Sequence, residues 1–413
     1  MNTGAAAGFA PTGASERIGL LDALRGLALL GIFIANIEWF SRPWQEFGNG
    51  MAQGLAGIDL AVAWAAYLFV SGKFWVLFSL LFGVGFALMM ERAQASGRAT
   101  GLYLRRLAVL FALGIAHALL AWVGDILHAY AIAALGLLLM RGLSARAQLG
   151  IGLAIYLGLY GLSVLGGVAM MAMPVGQAEF EATLAEGVRA GEAAAAVYAG
   201  GGFAEVTGQR MRDFAMLLGN ASGVVPLALA VFLVGSWLFR SGRLGDVEAN
   251  RGFFIRMAAW CLPPGLALTL AGAMLSTGHP DGFFNPRWVL ASSLHGLGAL
   301  PMTLGGVAAL ALAWQVPAGA RLLGVLAPAG RMALTNYLLQ SLVASLVFYG
   351  YGLAMWGRVG YAAMVALAVA VFALQVVASR WWLGRYRFGP LEWAWRWLTY
   401  GRRPPMRNLP AGA

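Results

Sequence analysis

Residues 104–140 read LRRLAVLFALGIAHALLAWVGDILHAYAIAALGLLLM, two apolar runs that meet at Gly124. The runs, 104–123 and 125–140, come close to the ~20 residues a helix needs to cross a bilayer core of about 30 Å. A short polar turn between them predicts a helical hairpin through the membrane. Arg105 and Arg106 stand at one end of it, and Asp125 and His128 at the other, with His117 inside the first run. An ionisable side chain in hydrocarbon is costly unless it is paired, hydrated or functional. The same stretch therefore implies a membrane fold and marks where a polar site is built.

The remainder of the chain repeats this pattern. Of 413 residues, 60% are hydrophobic and 11% charged, and the mean hydropathy is +0.74. That is too little charge for a soluble protein of this size. The apolar runs are continuous rather than alternating with period two, which excludes a β-barrel. The expected class is all-α, a polytopic membrane protein. The formal net charge of +11 does not point to nucleic acid, because the arginines gather in short loops and near the C-terminus, as orientation in a membrane requires. Lys73 is the only lysine. Cys261 is the single cysteine, which excludes an internal disulfide and a cysteine-rich metal site.

Spans are expected near 18–40, 74–90, 104–123, 125–140, 149–173, 214–239, 253–275, 289–314, 332–350 and 361–382, about ten crossings by length and hydropathy. Residues 1–17 read as a flexible tail, and 18–40 as an uncleaved anchor because Asp22 and Arg25 intrude. A partly interfacial helix is expected over 59–70. The main body, 18–384, is a single transmembrane domain. It is followed by a Trp/Arg-rich interfacial helix and tail over 385–413. Arginine dominates the loops 91–106, 141–147, 240–251, 321–331 and 380–407. An even count puts all of these on one side with both termini, which predicts cytoplasmic termini. The acidic loop at 174–210 and the Gly124 turn then face outward.

Several groupings could carry chemistry. Asp22 and Arg25, three apart, share a helical face and can pair; the pair either fixes helix depth or presents Arg25 to an anion. Asn36 lies three turns further along nearly the same face, either as glue between helices or as a ligand contact. His117, Asp125 and His128, with Tyr130 close by, fall within one hairpin. A carboxylate beside a histidine can orient the ring for proton transfer, although Asp125 could equally serve only to cap a helix. No metal is expected, since three such ligands would need a particular geometry. Arg105 and Arg106 either moor the hairpin or meet phosphates. Asn336 and Gln340, four apart, share one helical face in the next-to-last span, and Arg331 precedes them near its cytoplasmic end. His279, with Asp281, and His295 read as structural.

At these residues the chain resembles a known family. The Leu21–Asp22–Ala23–Leu24–Arg25–Gly26 opening, Leu81–Phe82–Gly83–Val84–Gly85, Gly124–Asp125–Ile126–Leu127 and Phe388–Gly389–Pro390–Leu391–Glu392–Trp393 resemble the YeiB family of bacterial inner-membrane proteins. The opening motif is also similar to that of the wider transmembrane acyltransferases, including heparan-α-glucosaminide N-acetyltransferase and the sugar O-acyltransferases. That second resemblance implies transfer of an acyl group from cytoplasmic acyl-CoA, with acetyl-CoA the expected donor, to an extracytoplasmic glycan or small-molecule acceptor. The sugar O-acyltransferases commonly carry a histidine where Asn36 stands here. The heparan enzyme uses one in the loop after its first such helix, where residues 41–57 of this chain have none.

The expected function is accordingly a membrane-bound acyltransferase. His117 and Asp125 would be catalytic. Arg25, Asn36, Arg105, Arg106, His128, Tyr130, Arg331, Asn336 and Gln340 would bind substrate or acyl-CoA. The expected partners are the bilayer, the donor and the acceptor, with room for a homodimer and no nucleic acid. The alternative is a proton-coupled transporter or exporter, in which the same polar groups line a pathway. A non-catalytic scaffold or sensor is the third reading.

Overall fold

A computed structural model describes residues 19–46, 51–52, 54–94, 99–172, 177–276 and 285–408. The chain forms α1 (Gly19–Asn36), α2 (Gly57–Phe69), α3 (Lys73–Gln94), α4 (Ala99–Leu120), α5 (Leu127–Leu139), α6 (Ala145–Ala172), α7 (Gln177–Gly200), α8 (Phe203–Arg240), α9 (Arg251–Ser276), α10 (Pro286–Trp314), α11 (Pro317–Gly324), α12 (Ala327–Arg331), α13 (Ala333–Phe348), α14 (Tyr361–Leu383) and α15 (Pro390–Tyr400). It is an all-α polytopic membrane protein, with no strand among the described residues.

Eight helical stretches among the described residues are long and apolar enough to cross a bilayer, and the shorter apolar α5 and α13 stand where the other two expected spans lie. α5 has only 13 residues, about 20 Å at the helical rise. Most of its side chains are buried by the rest of the protein. A helix surrounded by protein does not have to match the lipid thickness itself.

α3 and α8 form the central seam. A Cβ added at Gly83 would collide with the carbonyl of Phe232, and one at Gly235 with that of Leu80. Small residues on both faces let the two backbones approach, which is how helices associate where lipid removes the hydrophobic drive. The break between α2 and α3 falls at Gly72, whose φ of 76° suits glycine.

The stretch expected to be an acidic loop is helical, as α7 and the first turns of α8. Its composition explains this: 177–200 is rich in alanine and glutamate, strong helix formers. α8 starts at Phe203 rather than near 214, so about five turns precede its membrane-spanning window, Gly223–Arg240. The tail at 1–17 and the pair His279 and Asp281 lie outside the described residues.

Side-chain bonds between loops and helix ends sort into two ends of the bundle. At the arginine-rich end Arg141 Nη1 donates to Thr100 Oγ1 at 2.6 Å, Arg240 Nη1 to the Leu143 carbonyl at 2.7 Å, and Trp395 Nε1 to the Arg106 carbonyl at 3.2 Å. At the other end Gln45 Nε2 donates to Asp213 at 2.9 Å, the Ala362 amide to Asp59 at 2.7 Å, and the Gly357 amide to Ser41 Oγ at 2.8 Å. Helix ends predicted to share a side do share one.

Candidate functional site

α4 closes with the amides of Ala121 and Trp122 both bonded to the His117 carbonyl, and the chain turns through Gly124 into α5. Asp125 sits one residue ahead of the α5 N-cap, Ile126. From there its Oδ2 accepts the His128 backbone N–H at 3.0 Å and the His128 Nδ1–H at 2.9 Å, while its Oδ1 accepts His117 Nδ1–H at 2.8 Å. One carboxylate thus holds both imidazoles. Gly114 makes this possible: a Cβ there would come within 2.7 Å of Asp125 Oδ2.

The cluster is buried, with His117 and Asp125 each 5% exposed. Burial alone would raise the Asp125 pKa, but hydrogen bonds from His117 and His128 outweigh it and hold the carboxyl below its ordinary value. A carboxylate can only accept, so each imidazole donates through Nδ1. In a neutral ring Nε2 is then the basic atom. His117 Nε2 is buried and has no partner among the described residues.

Beside the cluster lies a cavity of about 340 Å³, whose lining includes none of His117, Asp125 and His128. Its roof includes Leu127, Tyr130 and Tyr337, and the Tyr337 ring stands 5.2 Å from the His117 ring. Tyr130 shares a 2.5 Å hydrogen bond with Ser79. Towards the arginine-rich end the lining turns cationic, with Arg25, Arg106, Arg331, Arg387 and Arg396. Arg25 pairs with Asp22 at 2.8 Å, as the spacing predicts. The Arg106 guanidinium lies 3.6 Å over the Trp395 ring, a cation–π contact.

α15 closes the floor. Glu392 accepts the Thr335 amide at 3.0 Å and its hydroxyl at 2.6 Å, and so ties α15 to α13. Burial pushes the Glu392 carboxyl up, against the lowering effect of those bonds.

Four expected binding residues stand elsewhere. Arg105 is exposed on the far side of α4, beside Gly401, because neighbours on a helix point about 100° apart. Asn36 ends α1 near the opposite surface, half-buried and outside the cavity lining. Asn336 donates to the Ala329 carbonyl at 3.1 Å and Ser379 Oγ at 3.0 Å, while Gln340 donates to Gln375 at 2.9 Å. Gln375 in turn donates to the Asn336 carbonyl at 3.0 Å. These bonds fasten α13 to α14, the usual role of such amides between membrane helices.

His295 is structural in a way its sequence neighbours do not reveal: it meets Lys73 Nζ at 3.2 Å and packs on Tyr67 at 4.3 Å. No group of three metal-ligand residues able to hold an ion occurs among the described residues. Sequence reasoning missed Tyr337, Arg387, Glu392 and Arg396 as cavity residues. The alternation of arginine and tryptophan over 385–397 was the available signal, and it was read as mooring to headgroups.

A family model described as a protein of unknown function (DUF418) matches residues 238–402. The uncharacterised protein YxaH of Bacillus subtilis (strain 168) is 32% identical over 407 residues, which covers 94% of this chain and 96% of that protein. The uncharacterised protein YeiB of Escherichia coli (strain K12) is 30% identical over 392 residues, with 93% and 96% covered. An uncharacterised 39.9 kDa protein of Bacillus acidopullulyticus is 30% identical over 405 residues, with 96% and 97% covered. No solved structure matches. Identity sustained over nearly the whole length of each relative means that this chain belongs to the YeiB-like DUF418 family of membrane proteins.

Proposed function

We propose that the protein transfers an acyl group from acyl-CoA, entering at the arginine-rich end, to an acceptor reaching the opposite side. The observation that carries this reading is a carboxylate–imidazole pair that packs on Tyr337, a wall of the cationic cavity. His117 Nδ1–H is fixed by Asp125 while Nε2 is left free. The charge pattern makes the arginine-rich end cytoplasmic, where acyl-CoA is found.

In this scheme Arg25, Arg106, Arg331, Arg387 and Arg396 receive the donor phosphates, for which the guanidinium fork is well shaped. The acyl arm runs up the cavity towards Tyr337. His117 Nε2 takes the proton from an acceptor hydroxyl or amine as that group attacks the thioester carbonyl. The carbon–sulfur bond breaks, and the leaving thiolate takes the proton back from His117. A base of this kind contributes about 10²- to 10⁴-fold.

Detergent-purified protein is tested first for a thermal shift with coenzyme A and acyl-CoAs, since a ligand that binds only the folded form raises apparent stability. Labelled acyl-CoA and envelope glycans then measure transfer. We expect His117→Ala to keep the coenzyme A shift and lose transfer. Transfer unchanged in that variant would sink the mechanism.

A further inference from the structure

A second polar cluster lies at the acidic end, where α8 projects past its span. Arg210 is 0% exposed. Its guanidinium sits 5.3 Å from the Phe203 ring and 5.9 Å from those of Tyr349 and Tyr351. Nη2 donates to Thr207 Oγ1 at 3.0 Å, but Nε and Nη1 have no hydrogen-bond partner among the described residues.

The nearest carboxylate does not supply one. Asp213 Oδ1 is taken by Gln45 Nε2 and Gln209 Nε2, both at 2.9 Å, and Oδ2 by the Tyr198 hydroxyl at 2.6 Å. These partners are three neutral donors rather than the guanidinium. The Gln45 Oε1 on the same side chain is buried and also lacks a partner.

Buried polar atoms in folded proteins are nearly always satisfied, and those that are not call for an explanation such as an unseen occupant. Here donors on a cation and an acceptor on an amide are orphaned in one cluster. One partner that would satisfy both is an oxyanion that also carries a donor such as hydroxyl. The rings around it suit the apolar face of a sugar. Tyr198 and Trp356 stack at 4.9 Å and 7°. Phe214, the residue after Asp213, packs edge-on against His128 at 5.1 Å. The cluster thus abuts the Asp125 centre from the side away from the donor cavity.

We infer that Arg210 and Gln45 form the recognition site for the acceptor, and that the acceptor is an anionic, hydroxyl-bearing molecule of sugar size, carrying a carboxylate or a phosphate. The word acceptor rests on the acyl-transfer reading; the anion site does not. Arg210 is fully buried here, so binding requires this end to open. The turn 349–357 covers Arg210, doubles back on α13, and includes Ala354 at φ 53°, the one non-glycine residue with positive φ among those described. Entry of the ligand requires this turn to lift.

The test uses full-length purified protein with no acyl donor present. Glucuronate, glucose 6-phosphate and glucose are titrated while thermal stability and tryptophan fluorescence are followed. At least one anion is expected to shift both signals saturably, with glucose at least tenfold weaker. Which anion responds identifies the charged group. Arg210→Gln is expected to weaken anion binding tenfold or more while keeping the coenzyme A shift. Should that variant fail to fold, Gln45→Ala at a half-buried position is expected to weaken the same response. No response to either anion, or wild-type affinity in the folded variants, overturns the proposal. An anion response without any coenzyme A shift would instead sink the donor reading and leave this site standing.

Discussion

Asp125 has two imidazoles and one backbone amide on two oxygens. An amide side chain offers one acceptor oxygen and an NH2 that only donates, so Asp125→Asn must either release one ring or force it into the tautomer whose Nδ1 accepts. We expect it to lower stability by about 1–3 kcal/mol, the usual cost of an unsatisfied buried group. Transfer should fall ~10²-fold or more, because the ring loses the partner that fixes its tautomer. Activity and chemical denaturation of the one variant check both. The folded-state pKa of Asp125 is depressed, so its stabilisation is full above the ordinary carboxylate value and is lost as pH falls through the lower folded value. A thermal-stability profile should show this acid limb in the wild type and a shallower one in Asp125→Asn. This centre was legible in the sequence because its members are eight and three residues apart. Asn336 and Gln340 were legible as a shared helical face but not in their role. Their partners Ser379 and Gln375 lie 43 and 35 residues away on another helix, and spacing along one helix does not say which helix faces it.

α15 is the element whose role changes most between sequence and structure. Its pattern is that of a headgroup anchor, and only the fold brings Trp395 and Arg396 under the cavity. The contacts that hold it include Glu392 on Thr335 and Trp395 against Arg106. Burial raises the Glu392 pKa. The group therefore favours the docked form most at pH below its ordinary value, and that contribution is lost as pH rises through the raised folded value. Hydrogen exchange over 390–400 should accelerate as pH rises across that window, after correction for the intrinsic rate. Glu392→Gln should flatten the dependence and retain docking. A wild-type profile that is already flat would mean that the carboxyl does not govern the floor of the cavity. α7 carries a related lesson. Counting its glutamates gave a side of the membrane, whereas its alanine content, the better guide to conformation, was passed over.

At the scale of the whole molecule, function hangs on orientation. The spans were legible because length and hydropathy are properties of each segment alone. The pairing of Lys73 with His295 or Gln45 with Asp213 was not, since those residues are 222 and 168 apart. The sorting of loop charge connects the two levels. Arg42 at the acidic end is neutralised by Glu38 and Glu46, both at 2.6 Å, whereas the opposite end gathers five arginines around the cavity beside two carboxylates, Asp22 and Glu392. With Cys261 replaced by Ala, single cysteines at the exposed positions Ser144 and Ala318 of the arginine-rich end and at Glu192 and Arg358 of the acidic end report sidedness. In right-side-out vesicles a membrane-impermeant maleimide is expected to label Glu192→Cys and Arg358→Cys only; in inverted vesicles, Ser144→Cys and Ala318→Cys only. Mixed labelling within either pair would mean an odd number of crossings between its members. Complete reversal would turn the cationic cavity outward, where no acyl-CoA is available to fill it, and the donor assignment would fall even with every side-chain contact intact.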